Sequence, residues 1–363
     1  MALSQPAKWT TVTSALPPWL RARSFRSEAA LEAIAKASQD KVPSLVLYNY
    51  PSFSGAFSAL FAHLFHSRLN LPCLILPFSS VEPLRVEDLC TEGLKRLYLL
   101  DFFGPKGFAK ELSRRASFKV IGFDHRKSVL PIVPSEEDCP TNLTFHLNVE
   151  KSSSIAVYEY FSAKLAETKH SDGMIATLLE SKDQGRVEMT LKHIEDTDLR
   201  RWSLADSKAF NIGLDKWRSK LNCLTNPYMY EQLMEINSAE LIAMGNSYIS
   251  TCERAAEKLL DKVFKVMLGR GFYGECLGVR ADTNSDLVDE IGKKLSIKSA
   301  AAGLRPIGAV VHMQGNNLKI CLRSIDSGID TSEVAKAYGG GGSSRSSSFI
   351  IRMDEYNQWL SAI

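Results

Sequence analysis

An acid, an imidazole and two cations stand together where an apolar segment of this chain ends. The four residues are Asp124, His125, Arg126 and Lys127, and the segment before them, 120–123, has the composition of a buried strand. Carboxylate and imidazole groups bind divalent metal ions, but a guanidinium adds positive charge where a metal site needs negative charge. Taken alone, such a stretch is more often a solvated turn than a site. The residue types leave metal binding and a salt-bridged turn as alternatives.

Polar residues of similar kinds follow two other apolar segments. Asn49 and Ser54 come after the first of them, and Asp101 ends the next but one. Short apolar runs that alternate with helical patterns predict a parallel sheet with crossover helices. The strands are predicted at 45–48, 73–76 and 97–100, with one more from residue 120. Ligands of such sheets bind at the carboxyl ends of the strands, so we expect these polar groups to share one edge.

The remaining pattern predicts two domains joined by helices. Residues 28–205 carry the α/β pattern, 206–270 form a helical connector, and 271–363 have the element order of a smaller α+β domain. The glycines at 269 and 271 mark the predicted boundary. A helix is predicted at 174–179, and a long helical region at 238–267. In the last domain we predict strands at 276–279, 307–313, 318–322 and 349–351, with a glycine-rich turn at 339–342.

Composition limits the class of protein. The 363 residues are 45% hydrophobic, which is enough for two ordinary cores. The formal net charge of +3 gives no global field for nucleic acid or an anionic membrane, so any such binding must be local. The seven cysteines form no CxxC pair, which favours a reducing compartment over a disulfide framework or a zinc site. No segment has the length of a membrane span.

The first 27 residues differ from the rest. They contain four cations, several hydroxyl residues and no acid before Glu28. This composition is typical of an organellar transit peptide and would place the protein in a mitochondrion or plastid. Three prolines interrupt any amphipathic helix, so a disordered tail on a cytoplasmic protein is an equal alternative.

Taken together, these motifs resemble those of the DHH phosphoesterase superfamily, and most of all its plant members. The resemblance runs from Val46 to Trp359. The family's first motif reads roughly Tyr-His-Tyr-Pro-Cys-Pro-Asp-Gly-Ala-Phe, and residues 48–57 read Tyr-Asn-Tyr-Pro-Ser-Phe-Ser-Gly-Ala-Phe. Asn49 therefore stands for a histidine and Ser54 for an aspartate, both metal ligands in the family.

The other motifs follow in the family's order. Asp101 matches the aspartate of the second motif, and Asp124-His125-Arg126 matches the Asp-His-His that names the family. Asp198, preferred over Asp196, matches a fourth acidic position. The family's phosphate-contacting residues correspond to Arg323 and to the loop of Gly339, Gly340, Gly341, Gly342 and Ser343, in which Ser343 replaces a histidine. The resemblance implies the fold, and hydrolysis of phosphodiester or phosphoanhydride bonds with two divalent metals, commonly manganese.

The substitutions change that expectation. Two-metal hydrolysis needs charged oxygen and imidazole ligands around both ions. The ligands that remain are Asp101, Asp124, His125 and Asp198, enough for one manganese or magnesium ion. Alternatively, Arg126 pairs with Asp101 or Asp124 and closes the site without a metal, which is the interpretation we favour.

Three functions follow from these alternatives. The first is a pseudoenzyme that keeps a cleft for a phosphate-bearing ligand, such as a nucleotide or RNA end, or that serves as a subunit of a larger, organellar complex. The second is an active metal-dependent phosphodiesterase on short oligonucleotides or nucleotides. The third is a purely structural interaction subunit. The loss of charged ligands favours the first function over the others.

Overall fold

The computed structural model describes residues 27–115, 117–133, 139–168, 177–282 and 287–360. The chain divides into two compact units, 1–245 and 246–363. The predicted transit peptide, residues 1–27, lies outside the described residues except for Ser27. No helix among the described residues is both long and apolar enough to cross a bilayer.

Unit 1 is built on a five-stranded sheet in which every neighbouring pair is parallel. Its strands are β1 (Ser44–Asn49), β2 (Cys73–Phe78), β3 (Arg96–Leu100), β4 (Lys119–Asp124) and β5 (Leu143–Leu147), in the order β2-β1-β3-β4-β5. Its helices are α1 (Glu28–Gln39), α2 (Phe53–Arg68), α3 (Val86–Leu89), α4 (Phe108–Arg115), α5 (Ser153–Ala166), α6 (Ser181–Asp198), α7 (Ser207–Asp215) and α8 (Met229–Glu235). The predicted α/β class is confirmed.

The strands of unit 1 are buried on both faces, as expected for a parallel sheet with helices on either side. Alternate residues of β1 belong to two different cores: Val46 and Tyr48 pack in one, Leu45 and Leu47 in the other. Helix α2 packs against α5 on the first of these faces. It is buried from Phe53 to Ala62, which explains why its sequence is apolar all round.

The strand order creates a crevice at one place in the sheet. The chain passes from β1 to β2 on one side and returns to β3 on the other, so β1 and β3 are neighbours at the point where the order reverses. In open α/β sheets, ligands bind outside the carboxyl ends of the strands at such a switch point. The polar residues that follow β1 and β3 therefore stand at the place where the topology favours a site.

Unit 2 contains a six-stranded mixed sheet in the order β10-β11-β9-β8-β7-β6. Its strands are β6 (Phe264–Met267), β7 (Glu275–Arg280), β8 (Gly308–Gln314), β9 (Asn317–Arg323), β10 (Gly341–Ser343) and β11 (Ser346–Ile351). Its helices are α10 (Val288–Ala301), α11 (Ser332–Ala337) and α12 (Met353–Asn357), while α9 (Ser238–Leu260) spans the division between the units. Unit 2 has hydrophobic cores on both faces of this sheet. Its mixed sheet and helices agree with the predicted α+β class.

Three sequence predictions differ from the structure. The glycines at 269 and 271 lie in a turn between β6 and β7, inside unit 2, and the units divide at Gly245 within α9. The helical region predicted to reach Met267 ends at Leu260, because residues 264–267 pair with β7. Of the helix predicted at 174–179, residues 174–176 lie outside the described part, and residues 177–179 are not helical.

Candidate functional site

The carboxyl ends of β1, β3 and β4 bring Asn49, Asp101 and Asp124 to one edge of the unit 1 sheet. Asp101 is the residue after β3 and has a φ of +66°, a left-handed conformation that aspartate tolerates better than most residues. This turn buries its carboxylate, which is only 2% exposed. Oδ2 of Asp101 accepts hydrogen bonds from Nδ2 of Asn49 at 3.0 Å and from Oγ of Ser52 at 2.6 Å.

Ser52 has two roles at this edge. As the N-cap of α2, its Oγ accepts a hydrogen bond from the backbone N–H of Gly55 at 3.2 Å. The same oxygen donates to Asp101. The cap therefore ties the start of α2 to the end of β3.

Asp124 is held by Arg126. The guanidinium group of Arg126 grips the carboxylate as a fork, with Nε at 2.9 Å from Oδ1 and Nη2 at 2.6 Å from Oδ2. The backbone N–H groups of His125 and Arg126 also donate to Oδ1, at 2.8 and 3.0 Å. Nη2 of Arg126 reaches further, to the backbone carbonyl of Asp101 at 2.9 Å. The structure thus contains the salt bridge between Arg126 and Asp124 that the sequence favoured.

His125 is buried between two elements. Its Nδ1 lies 3.2 Å from Oδ1 of Asp101 and 2.9 Å from Oγ of Ser153, at the start of α5. Burial alone would lower the pKa of His125, but the Asp101 carboxylate beside it raises the pKa above its ordinary value. Burial would likewise raise the pKa of Asp101, but His125, Ser52 and Arg126 hold it below its ordinary value. Each of the two groups therefore favours the charged form of the other.

Asp198 ends α6 and belongs to the same electrostatic environment. Burial, followed by repulsion from the Asp101 carboxylate, raises the pKa of Asp198 to about 7, against the opposing effects of His125, Ser54 and Arg126. Its Oδ2 is buried without a hydrogen-bond partner among the described residues. Oγ of Ser54 accepts a hydrogen bond from the backbone N–H of Ser154 at 2.9 Å.

Asp196 has a different role. Its carboxylate accepts hydrogen bonds from the backbone N–H groups of Ser203 and Leu204 and from the hydroxyls of Ser203 and Ser207. Burial would raise the pKa of Asp196, yet these donors lower it to about 2. Asp196 therefore organises the turn that leads into α7.

In unit 2, the predicted phosphate-contacting residues lie on the two strands that flank β11, with Gly339 and Gly340 just before β10. Gly341, Gly342 and Ser343 form the exposed edge strand β10, which pairs with β11, and Arg323 ends β9 on the other side of β11. Nε of Arg323 donates to Oδ1 of Asp289 at 2.6 Å, and its side chain is 14% exposed. The glycine stretch is thus part of a β-hairpin, and Arg323 is already paired with a carboxylate.

Comparison with known proteins finds no matching family model and no matching curated protein. Among solved structures, an exopolyphosphatase-related protein from Bacteroides fragilis is 13% identical, covering 92% of this chain and 95% of that chain with a TM-score of 0.35. The pGpG-specific phosphodiesterase PggH from Vibrio cholerae is 13% identical, covering 87% and 95%, with a TM-score of 0.37. Exonuclease RecJ bound to manganese is 13% identical, covering 92% of each chain, with a TM-score of 0.38.

Each of these likenesses has a low sequence identity and a TM-score below 0.5. The resemblance to the DHH phosphoesterases therefore rests on the sequence motifs at 48–57, Asp101 and 124–126.

The donor set at the sheet edge does not fit the metal pair that the motif resemblance implies. Asp101, Asp124 and His125 each place one possible ligand atom within 4.8 Å of the others. However, Oδ1 of Asp124 already accepts three hydrogen bonds, and Oδ2 accepts one from Nη2 of Arg126, which leaves one lone-pair position on Oδ2. The cation of Arg126 also stands beside both aspartates, where it would repel a metal ion. An ion at Asp124 would have to share Oδ2 with the Arg126 guanidinium, and a second ion has too few charged ligands.

Sequence reasoning overlooked two residues of this edge, Ser52 and Ser153. Ser52 is the N-cap of α2, so the N-cap preference for serine was an available signal. Ser153 is the first residue of α5, after its N-cap Ser152, and had no such signal. Their hydrogen bonds to Asp101 and His125 became visible only when the sheet order brought the starts of α2 and α5 together.

Proposed function

We propose that this chain is a DHH-type protein that does not hydrolyse phosphoesters through two metal ions and that acts by binding. The fork of Arg126 on Asp124 is the observation that carries this proposal. Arg126 also places a cation beside the carboxylates of Asp101 and Asp124, and burial raises the pKa of Asp198 to about 7, which reduces its negative charge near neutral pH. Both effects weaken the attraction of the edge for a divalent cation.

The ligand that suits the proposal carries a phosphate group. Gly341 and Gly342 are exposed on the edge strand β10, and Gly342 has a φ of +142°, which glycine tolerates. The outer side of an edge strand leaves its backbone amides unpaired by the sheet. Exposed amides of this kind can accept an anion without a cation. They support phosphate binding better than Arg323 does, because Asp289 already neutralises Arg323.

Manganese binding tests the proposal. Isothermal titration calorimetry on the purified chain should show no stoichiometric binding of Mn²⁺. The triple variant Asn49→His, Ser54→Asp, Arg126→His restores the family's residues and should bind Mn²⁺ at least tenfold more tightly, a gain of about 1.4 kcal/mol or more. The single variant Ser54→Asp, which leaves Arg126 in place, is the matched control and should bind no better than wild type.

Stoichiometric binding of manganese by the wild-type chain would contradict the proposal. If the wild-type chain binds one or two Mn²⁺ ions stoichiometrically and Asp124→Ala abolishes that binding, then Arg126 does not close the site. The chain would then be a candidate for a metal-dependent phosphodiesterase.

A further inference from the structure

A concavity of about 540 Å³ opens at the edge of the unit 1 sheet opposite to Asp101 and Asp124. Arg96, the first residue of β3, and Lys119, the first residue of β4, both line it. Strands rise about 3.3 Å per residue, so Arg96 and Asp101 are about 17 Å apart along β3. The concavity is therefore separate from the site described above, and its size is that of an ordinary ligand pocket.

The cations of this pocket face one another without matching acids. Arg96 and Lys119 are register partners on neighbouring strands, so both point to the same face of the sheet. Like charges placed opposite each other on paired strands are destabilising. Among the described residues, neither has a carboxylate within ion-pair distance. Lys164 of α5 also lines the pocket, but Glu167 neutralises it at 2.8 Å.

Aromatic side chains line the same pocket as Arg96 and Lys119. Tyr98 is buried, Tyr160 is half-buried, and their ring centroids lie 6.4 Å apart. Burial raises the pKa of Tyr160, and the charge of Lys164, a hydrogen bond with Tyr98 and the charge of Arg96 oppose that rise, while the charge of Glu167 adds to it. The exposed ring of His146 stands 5.5 Å from Tyr160, with one face covered by Phe123. Cations beside aromatic rings suit a ligand that has both a phosphate and a base.

We propose that this pocket binds the phosphate group of a nucleotide, either free or at the end of a nucleic-acid strand. Arg96 and Lys119 contact the phosphate, which relieves their mutual repulsion. The rings of Tyr160 and His146 contact the base. This site is independent of the closed edge at Asp124 and of the glycine hairpin in unit 2.

Binding to the full chain tests the pocket. Fluorescence anisotropy with a labelled, 5′-phosphorylated hexanucleotide gives the affinity, and competition with AMP and with inorganic phosphate separates the ligand classes. The double variant Arg96→Gln, Lys119→Gln should bind the strand at least tenfold more weakly. If both cations contact phosphate, the slope of log affinity against log salt should also fall by about 1.4.

Lys95→Gln is the matched control. It removes an exposed cation next to Arg96 that does not line the pocket. Its affinity should stay within about twofold of wild type, since a charge outside the contact is screened by salt. Tyr160→Leu should weaken AMP more than inorganic phosphate.

The competition experiments distinguish a strand end from a free nucleotide. Tight binding of the hexanucleotide with weak competition by AMP supports a strand end, whereas equal affinities support a free nucleotide. No binding of either ligand by wild type at millimolar concentration overturns the proposal. So does wild-type affinity in the double variant, with circular dichroism showing that it is folded, or an equal loss in Lys95→Gln. Phosphate binding that survives in the double variant would leave the glycine hairpin as its site.

Discussion

The carboxylate of Asp124 accepts four hydrogen bonds, and two of them come from the guanidinium fork of Arg126. The sequence predicted this pairing because an arginine stands where a metal ligand of the family would be. It could not predict that Nη2 also reaches the backbone carbonyl of Asp101, since that contact depends on the left-handed turn after β3. At the scale of single residues, the sequence therefore predicted which residues form the site. It could not predict the backbone turns that orient their side chains.

Arg126→Ala should lower the free energy of unfolding by about 1–3 kcal/mol. The side chain of Asp124 is fully buried and would lose its partner, but Arg126 is 41% exposed, so water can partly replace it. Arg126→Lys keeps the charge without the planar fork and should lose less. Urea unfolding of both variants measures the difference. A lysine variant as unstable as the alanine variant would mean that the fork geometry, and not the charge, holds Asp124.

Asp198 should make the protein less stable as the pH rises. Its pKa is raised to about 7 in the folded chain and is about 3.9 when unfolded, so the native state holds its proton more tightly. The stabilisation is complete below about pH 4 and is lost as the pH rises to about 7. Asp198→Asn cannot titrate. Relative to wild type, it should become more stable by about 1–3 kcal/mol between pH 5 and pH 8 in urea titrations. A constant difference across this range would show that Asp198 titrates normally.

At the scale of elements, the buried strands of unit 1 were the easiest to predict. The run 45–48 and the run 97–100 were each found to within a residue at either end, because both faces of these strands are apolar. Strand β5 was not predicted, because polar Thr144 and His146 interrupt it at the sheet edge. Strand β10 was not predicted either: its glycines have little strand propensity, and only pairing with β11 orders them.

The approach of α2 to β1 depends on Gly55. A Cβ atom at this position would lie 2.2 Å from the backbone oxygen of Asn49, a contact that neither backbone can avoid without moving. Gly55→Ala should therefore lower the free energy of unfolding by about 1–3 kcal/mol. Gly185→Ala in α6 is the control, since a Cβ there meets nothing within 4 Å, and it should stabilise by about 0.5–1 kcal/mol. Urea unfolding distinguishes the two, and equal effects would contradict the close approach.

At the scale of the whole molecule, the two units have separate hydrophobic cores, and one core in each unit contains a large, fully buried aromatic residue. Phe161 packs in unit 1, and Trp359 packs in unit 2 against Phe349 and Tyr338. Nε1 of Trp359 also donates to Glu355 at 3.1 Å. The length of the chain and its hydrophobic content predicted two cores. The boundary between the two units could not be predicted, because the helix α9 continues across it without a break.

Separate cores predict separate responses to core mutations. Trp359→Ala should destabilise unit 2 by about 3–5 kcal/mol, because it removes a fully buried indole ring. In hydrogen–deuterium exchange, peptides from β8 and β9 should then exchange faster, while peptides from β1 and β3 keep their protection. Phe161→Ala should give the reverse pattern, with faster exchange in β1 and β3 alone. If either variant accelerates exchange equally in both sets of peptides, then α9 couples the cores and the chain unfolds as one cooperative unit.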